Sequence, residues 1–310
     1  MSVDGKDRLL VIKLGSLGDF IQTFEAFRDI RAHHAEAEIV LLTTPPFATL
    51  AERSPWFDDV WTDGRPRWTE ISVWARLVAR LRRTNFARIY DLQYNRRTAI
   101  IYRLLGGRGG PPWFGKTPGC AYPEPVYATD VDNVGRMLAH LESAGVSSAG
   151  PLDLNWLSAD VADLQPSGRF VLMAPGCSPH RPRKRWPSEN YAKLGSRLAQ
   201  RNYRVALVGT RVDRDTIDAI RARLPEAIDL GGRTNLLELA SLARAAAAFV
   251  GNDTGPTFLA AKIGAPTVTL MSVDTDELRS APRGPASRWI KRDDLANLGV
   301  DEVEVELNLP

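Results

Sequence analysis

Short runs of consecutive apolar residues, each closed by a glycine or proline and followed by a helical periodicity, recur along the chain. Leu9-Leu-Val-Ile-Lys-Leu14 ends at Gly15, and after Asp19 the residues Phe20, Phe24, Phe27 and Ile30 fall on one helix face. Glu38 to Thr44 repeats the run and is stopped by Pro45-Pro46; Ala87 to Gln93 repeats it after an Arg-rich helix around Val73 to Leu81. A run that is apolar throughout has no face to offer water, so it needs cover on both sides. Strands alternating with helices obtain that cover in a parallel sheet.

The cycle pauses over Val146 to Gly168, which is rich in Ser, Pro and Gly, and then begins again. Phe170 to Gly176 is a strand ending in a turn, Pro187 to Gln200 a helix and Tyr203 to Gly209 a strand; the alternation continues to Ser272. At about 150 residues per domain, 310 residues with 44% hydrophobic content fill two cores. The expected fold class is α/β. Two Rossmann-like domains, 1–150 and 151–310, are expected to face each other across a central cleft.

Charge is nearly balanced, 40 Lys plus Arg against 37 Asp plus Glu, which gives no footprint of a nucleic-acid binder. It is unevenly placed. Eleven arginines and two acids lie between Arg65 and Arg108, and nine basic residues and one acid between Gln165 and Arg204. Cys120 and Cys177 are the only cysteines, so neither a disulfide framework nor a thiolate metal cluster is expected. No run is long enough for a signal peptide or a membrane span, and the cytoplasm is the expected compartment.

Three turns carry candidate chemistry. Gly15-Ser16-Leu-Gly18-Asp19 joins the first strand to the first helix; it lacks the spacing of G-x-G-x-x-G, and no P-loop occurs anywhere. Asp19 fits either a helix-capping acid or, in the ligand crevice at the strand's carboxyl edge, a general base. Gly251-Asn-Asp253-Thr254-Gly255-Pro256 ends another buried strand just before a helix and reads equally as a capped turn or a phosphate-binding helix start. Pro175 to Pro187 holds Arg181, Arg183, Lys184 and Arg185, either a solvated charge run or a diphosphate clamp. Cys177 has no His-plus-acid partner pattern that would make it a nucleophile.

Together these segments resemble glycosyltransferase family 9, the family of the ADP-heptose lipopolysaccharide heptosyltransferases. The likeness runs nearly end to end: Ile12 to Asp19, Lys184-Arg-Trp-Pro187, Gly231 to Ala240, and the most specific stretch, Gly251 to Pro256 followed by Leu259-Ala-Ala261. The resemblance implies a GT-B fold and an inverting transfer from a nucleotide-sugar donor, with no cofactor and no metal. The acceptor would bind mainly to the first domain and the donor mainly to the second. It makes Asp19 the base, sets Lys184 against the diphosphate, gives donor groups to Asp253, Thr254 and Gly255, and places Asp213 near the ribose. The runners-up are another GT-B nucleotide-sugar enzyme, such as a 2-epimerase, and a non-catalytic nucleotide-sugar-binding protein.

The acceptor region has features of its own. Gly15, Ser16, Gly18, Gln93, Asn95, Arg96 and Arg97 are the expected contacts to an anionic glycan or glycolipid such as a Kdo-bearing lipid, although Arg96 and Arg97 also suit an exposed helix. The helix from Trp74 to Arg83 sets Trp74, Leu77, Val78 and Leu81 on one face and arginines elsewhere, which suits core packing with peripheral contact at the inner face of the cytoplasmic membrane. After Asp301 the chain shows none of the long final helix that many GT-B enzymes return to their first domain.

Overall fold

The computed structural model describes residues 6–67, 69–127, 131–178 and 180–310. The chain divides into two compact units, Met1–Trp156 and Leu157–Pro310. The boundary falls inside the Ser/Pro/Gly-rich stretch, and Trp156 stays with the first unit because its ring packs 5.2 Å from Trp56 and 6.1 Å from Phe24.

In the first unit the apolar runs form β1 (Arg8–Ile12), β2 (Glu38–Thr43), β3 (Asp59–Thr62), β4 (Arg88–Asp91), β5 (Trp113–Gly115) and β6 (Tyr122–Pro123). They make one parallel sheet in the order β3-β2-β1-β4-β5-β6. Leu10 and Ile12 sit in register with Val40 and Leu42 on one side and Ile89 and Asp91 on the other. The core gathers those strands, Trp61, Trp113 and the buried face of the helix Ile71–Thr84. On that helix Trp74, Val78 and Leu81 turn inward, and Leu77 packs against the same core. The periodicity marked those four residues.

The second unit repeats the plan with β7 (Phe170–Ala174), β8 (Arg204–Leu207), β9 (Ile228–Asp229), β10 (Ala248–Asn252), β11 (Thr267–Ser272) and β12 (Ser287–Arg292). Its parallel order is β12-β11-β10-β7-β8-β9. Both sheets therefore have the doubly wound order whose ligand crevice opens where the winding reverses. That point lies between β1 and β4 in the first unit and between β7 and β10 in the second.

Strands β3, β5, β6 and β12 have no counterpart in the sequence reading. Three of them span four residues or fewer, too few for a period to emerge. The last residues form a short helix, Val300–Leu307, which packs within the second unit against the helix Ser188–Gln200 and β11.

Candidate active site

At the first switch point, the end of β1 is fastened to the end of β4 by side chains from both. Gln93 Oε1 accepts from the Leu14 N–H at 2.7 Å, and Gln93 Nε2 donates to the Gly15 carbonyl at 3.3 Å. Lys13 Nζ reaches the Leu92 carbonyl at 3.0 Å. Gly15 is required here. Its φ of +87° suits glycine, and a Cβ would stand 2.1 Å from the Phe47 ring.

The chain then enters the short helix Leu17–Ile21, where Asp19 is exposed. The Ser16 N–H (3.3 Å) and hydroxyl (3.1 Å) both donate to Asp19 Oδ2. Asp19 thus serves the helix start and also lines a cavity of about 210 Å³, along with Lys13, Gln93, Tyr94, Lys116, Glu124 and Arg136. Both Ser16 donors meet the same carboxylate oxygen, Oδ2.

Other expected acceptor residues have structural partners of their own or lie off this cavity. Ser16 is spent on Asp19, Gly18 is buried in the helix, and Asn95 caps the helix Arg96–Leu104 by accepting from the Thr98 N–H at 3.1 Å. Arg96 is exposed, and Arg97 is bound through Nε and Nη2 to the buried Asp63 carboxylate, each at 2.8 Å, with its guanidinium 4.1 Å from the Trp74 ring centre. Asn95, Arg96 and Arg97 do not line the cavity. The cations that do are Lys13, Lys116 and Arg136, of which only Lys13, a charge inside an apolar run, stands out in the sequence.

Burial tunes the groups around this cavity. Asp91, fully buried at the end of β4, accepts from the Gln93 and Tyr94 N–H groups on Oδ1, and burial pushes its carboxyl up to about 6. Burial lowers the Lys13 ammonium, while Asp19 and Asp91 pull it back up.

At the second switch point the loop after β7 folds onto the end of β10. Asn252, with no exposed surface, donates to the Pro175 carbonyl (2.9 Å) and accepts from the Trp186 N–H and the Tyr191 hydroxyl (3.1 Å each). This stitching turns Lys184 inward, whereas Arg181 and Arg183 stay exposed; Pro179 of the same loop lies outside the described residues. Lys184 Nζ meets Asp253 Oδ2 at 2.5 Å, and the Thr275 hydroxyl donates to the same oxygen at 2.6 Å. The structure therefore brings Lys184 and Asp253 together as a buried pair. Thr254 precedes the helix Gly255–Lys262 in an extended conformation, with Gly255 opening its first turn.

Asp213 stands at the rim of the same turn. Its Oδ2 accepts from the Thr210 N–H and hydroxyl at 2.8 Å each, and Gly176 lacks a Cβ where one would lie 2.5 Å from Asp213 Oδ1. Burial raises the Cys177 thiol and keeps it protonated. Among the described residues, no group of three or more His, Cys, Asp or Glu side chains is placed to hold a metal ion.

With both sites built, comparison with known proteins decides the family. The family described as glycosyltransferase family 9 (heptosyltransferase) matches residues 133–296, more than half of the chain. The chain belongs to glycosyltransferase family 9. Lipopolysaccharide heptosyltransferase 2 of Escherichia coli is 25% identical over 287 residues, 85% of this chain and 82% of that protein. Lipooligosaccharide heptosyltransferase 2 of Haemophilus influenzae is 39% identical over 94 residues, a match that spans only 29% of this chain and 27% of that protein. The solved ADP-heptose lipopolysaccharide heptosyltransferase II of E. coli superposes with a TM-score of 0.78 at 23% identity, over 97% of each chain. The two doubly wound sheets are thus those of a GT-B fold.

Proposed function

We propose that this family 9 member is an inverting glycosyltransferase that moves a heptose from ADP-heptose to a lipopolysaccharide-core or related anionic glycan. The observation that carries the reading is Asp19, an exposed carboxylate on the wall of the first switch-point cavity with its cap bonds confined to one oxygen. In this reading Asp19 takes the proton of the acceptor hydroxyl as that oxygen attacks the anomeric carbon. The bond from that carbon to the diphosphate breaks on the opposite face, which inverts the centre. Lys184 meets the charge growing on the leaving diphosphate, and Thr254 and Gly255 give it the open N–H groups of a helix start. Asp253 holds Lys184 in place and takes donor-sugar hydroxyls, and Asp213 faces the ribose.

The test is turnover of ADP-heptose with a lipopolysaccharide-core acceptor. Asp19→Asn keeps a capping side chain, so donor affinity and melting temperature should hold while turnover falls by about 10²–10⁴-fold. Normal turnover in that variant would reject the base. Among the described residues no helix is long and apolar enough to cross a membrane. We place the protein in the cytoplasm at the inner membrane surface, with the arginine face of the helix Ile71–Thr84 toward anionic lipid.

A further inference from the structure

Beside Asp19 the cavity wall carries a column of stacked side chains that the proposed chemistry leaves unused. His140 is fully buried at its base. Its ring lies 3.7 Å from that of Phe114 and 5.9 Å from that of Tyr94, both at 24°. Nε2 faces the Tyr122 carbonyl at 3.1 Å, which only accepts, so Nε2 carries the proton; Nδ1 then accepts from the Tyr94 hydroxyl at 3.1 Å. Burial keeps His140 neutral and Tyr94 protonated, so this arrangement persists across the neutral range.

Tyr94 also holds a backbone φ of +52°, a costly conformation for a bulky residue, while its N–H is tied to Asp91. Above its ring stands the Lys116 ammonium, 4.7 Å from the ring centre and 2.8 Å from Glu124 Oε1. Tyr94, Lys116 and Glu124 line the cavity that contains Asp19. The Lys116–Glu124 pair is partly exposed, with side chains at 41% and 21%, so water screens it and an incoming anion competes with Glu124 on even terms.

We propose that Lys116 receives the anionic group of the acceptor sugar beside Asp19, and that Tyr94 and His140 are positioning residues that hold its ammonium there. This rests on the reading of the Asp19 cavity as the acceptor site. It transfers charge recognition from Arg96 and Arg97, which lie off the cavity, to a lysine following β5. Glu124 holds the ammonium in the empty site and is displaced from it when the acceptor's anion arrives.

Saturation-transfer NMR on the full chain tests this with the methyl glycoside of the acidic sugar 3-deoxy-oct-2-ulosonate and with its methyl ester, which differ only in charge. The native protein should bind the acid about tenfold tighter than the ester, the size of one charge-assisted contact. Lys116→Gln, at an exposed position that leaves folding intact, should erase that preference without changing ester binding, and Lys116→Arg should restore part of it. Tyr94→Gly removes the ring and leaves the buried His140 Nδ1 without its donor, so it should reduce the preference and lower the melting temperature together. In turnover, Lys116→Gln should raise the acceptor KM by about tenfold with kcat and the donor KM unchanged. An undiminished preference in Lys116→Gln would overturn the proposal. Native protein that binds ADP but neither sugar would instead overturn the acceptor-site reading and this inference with it.

Discussion

Lys184 and Asp253 are two residues whose energetics cannot be separated. Their side chains are 11% and 5% exposed, so removing one leaves the other buried and uncompensated. Lys184→Ala should therefore cost about 3–5 kcal/mol of stability in addition to about 1.5–3 kcal/mol of ADP affinity. The double change Lys184→Ala with Asp253→Asn should recover most of the melting temperature but not the affinity, as read by calorimetry. Asp91 gives a second residue-scale prediction. Its folded pKa, raised from 3.8 to about 6, means that the native state holds the proton more tightly than the unfolded chain. The benefit is full below pH 4 and is lost as pH rises through 6. Asp91→Asn, which keeps the oxygen that accepts from Gln93 and Tyr94, should thus be more stable than the native protein at pH 7–8, by about 2–3 kcal/mol. That advantage should vanish by pH 4 in denaturant titrations.

Among the elements, the helix Ile71–Thr84 presents two different faces, one to the core and one proposed to meet the membrane. Trp74, Val78 and Leu81 anchor it, while Arg76, Arg80 and Arg83 line a shallow groove with Trp61, on whose ring Arg80 stacks at 3.6 Å. At about 1 kcal/mol per arginine near an anionic bilayer, Arg76→Glu with Arg83→Glu should abolish sedimentation with phosphatidylglycerol vesicles and spare turnover on a detergent-soluble acceptor. Retained sedimentation would remove this face from the membrane reading. The loop from Pro175 to Pro187 behaves differently, since Asn252 and the Trp186 backbone fix its path. Its inner lysine is thereby buried against Asp253 rather than left as a surface charge.

At the scale of the whole molecule, each unit has its own doubly wound sheet and its own core, one gathered around Leu10, Val40 and Ile89 and the other around Val171, Val250 and Val268. The proposed donor residues Lys184, Asp213, Asp253, Thr254 and Gly255 all belong to Leu157–Pro310. Thermal unfolding should therefore resolve two transitions, of which ADP raises one. At about 100 times its dissociation constant, ADP adds about 2.7 kcal/mol to the unit that binds it, a rise of about 2–8 °C. Equal shifts in both transitions would contradict a donor site confined to the second unit.

The sequence by itself determined the repeating architecture, because continuous apolar runs such as Leu9 to Ile12 alternate with helical periods that cover both faces of a parallel sheet, and it marked the glycine turns at the strand ends. Gly15 shows why such marks are legible: the backbone angle and the Phe47 contact leave no alternative residue. Partnership was decided only in three dimensions. Lys184 and Asp253 stand 69 residues apart, and Arg97 is 34 residues from the Asp63 that holds it away from the cavity. Periodicity reports which way a side chain faces within its own element; the crossovers between strands decide what it meets. Hence Arg97 read as a candidate for an anion, whereas Lys116, beyond a three-residue strand too short to have a period, lines the same cavity as Asp19 because β5 follows β4 in the sheet.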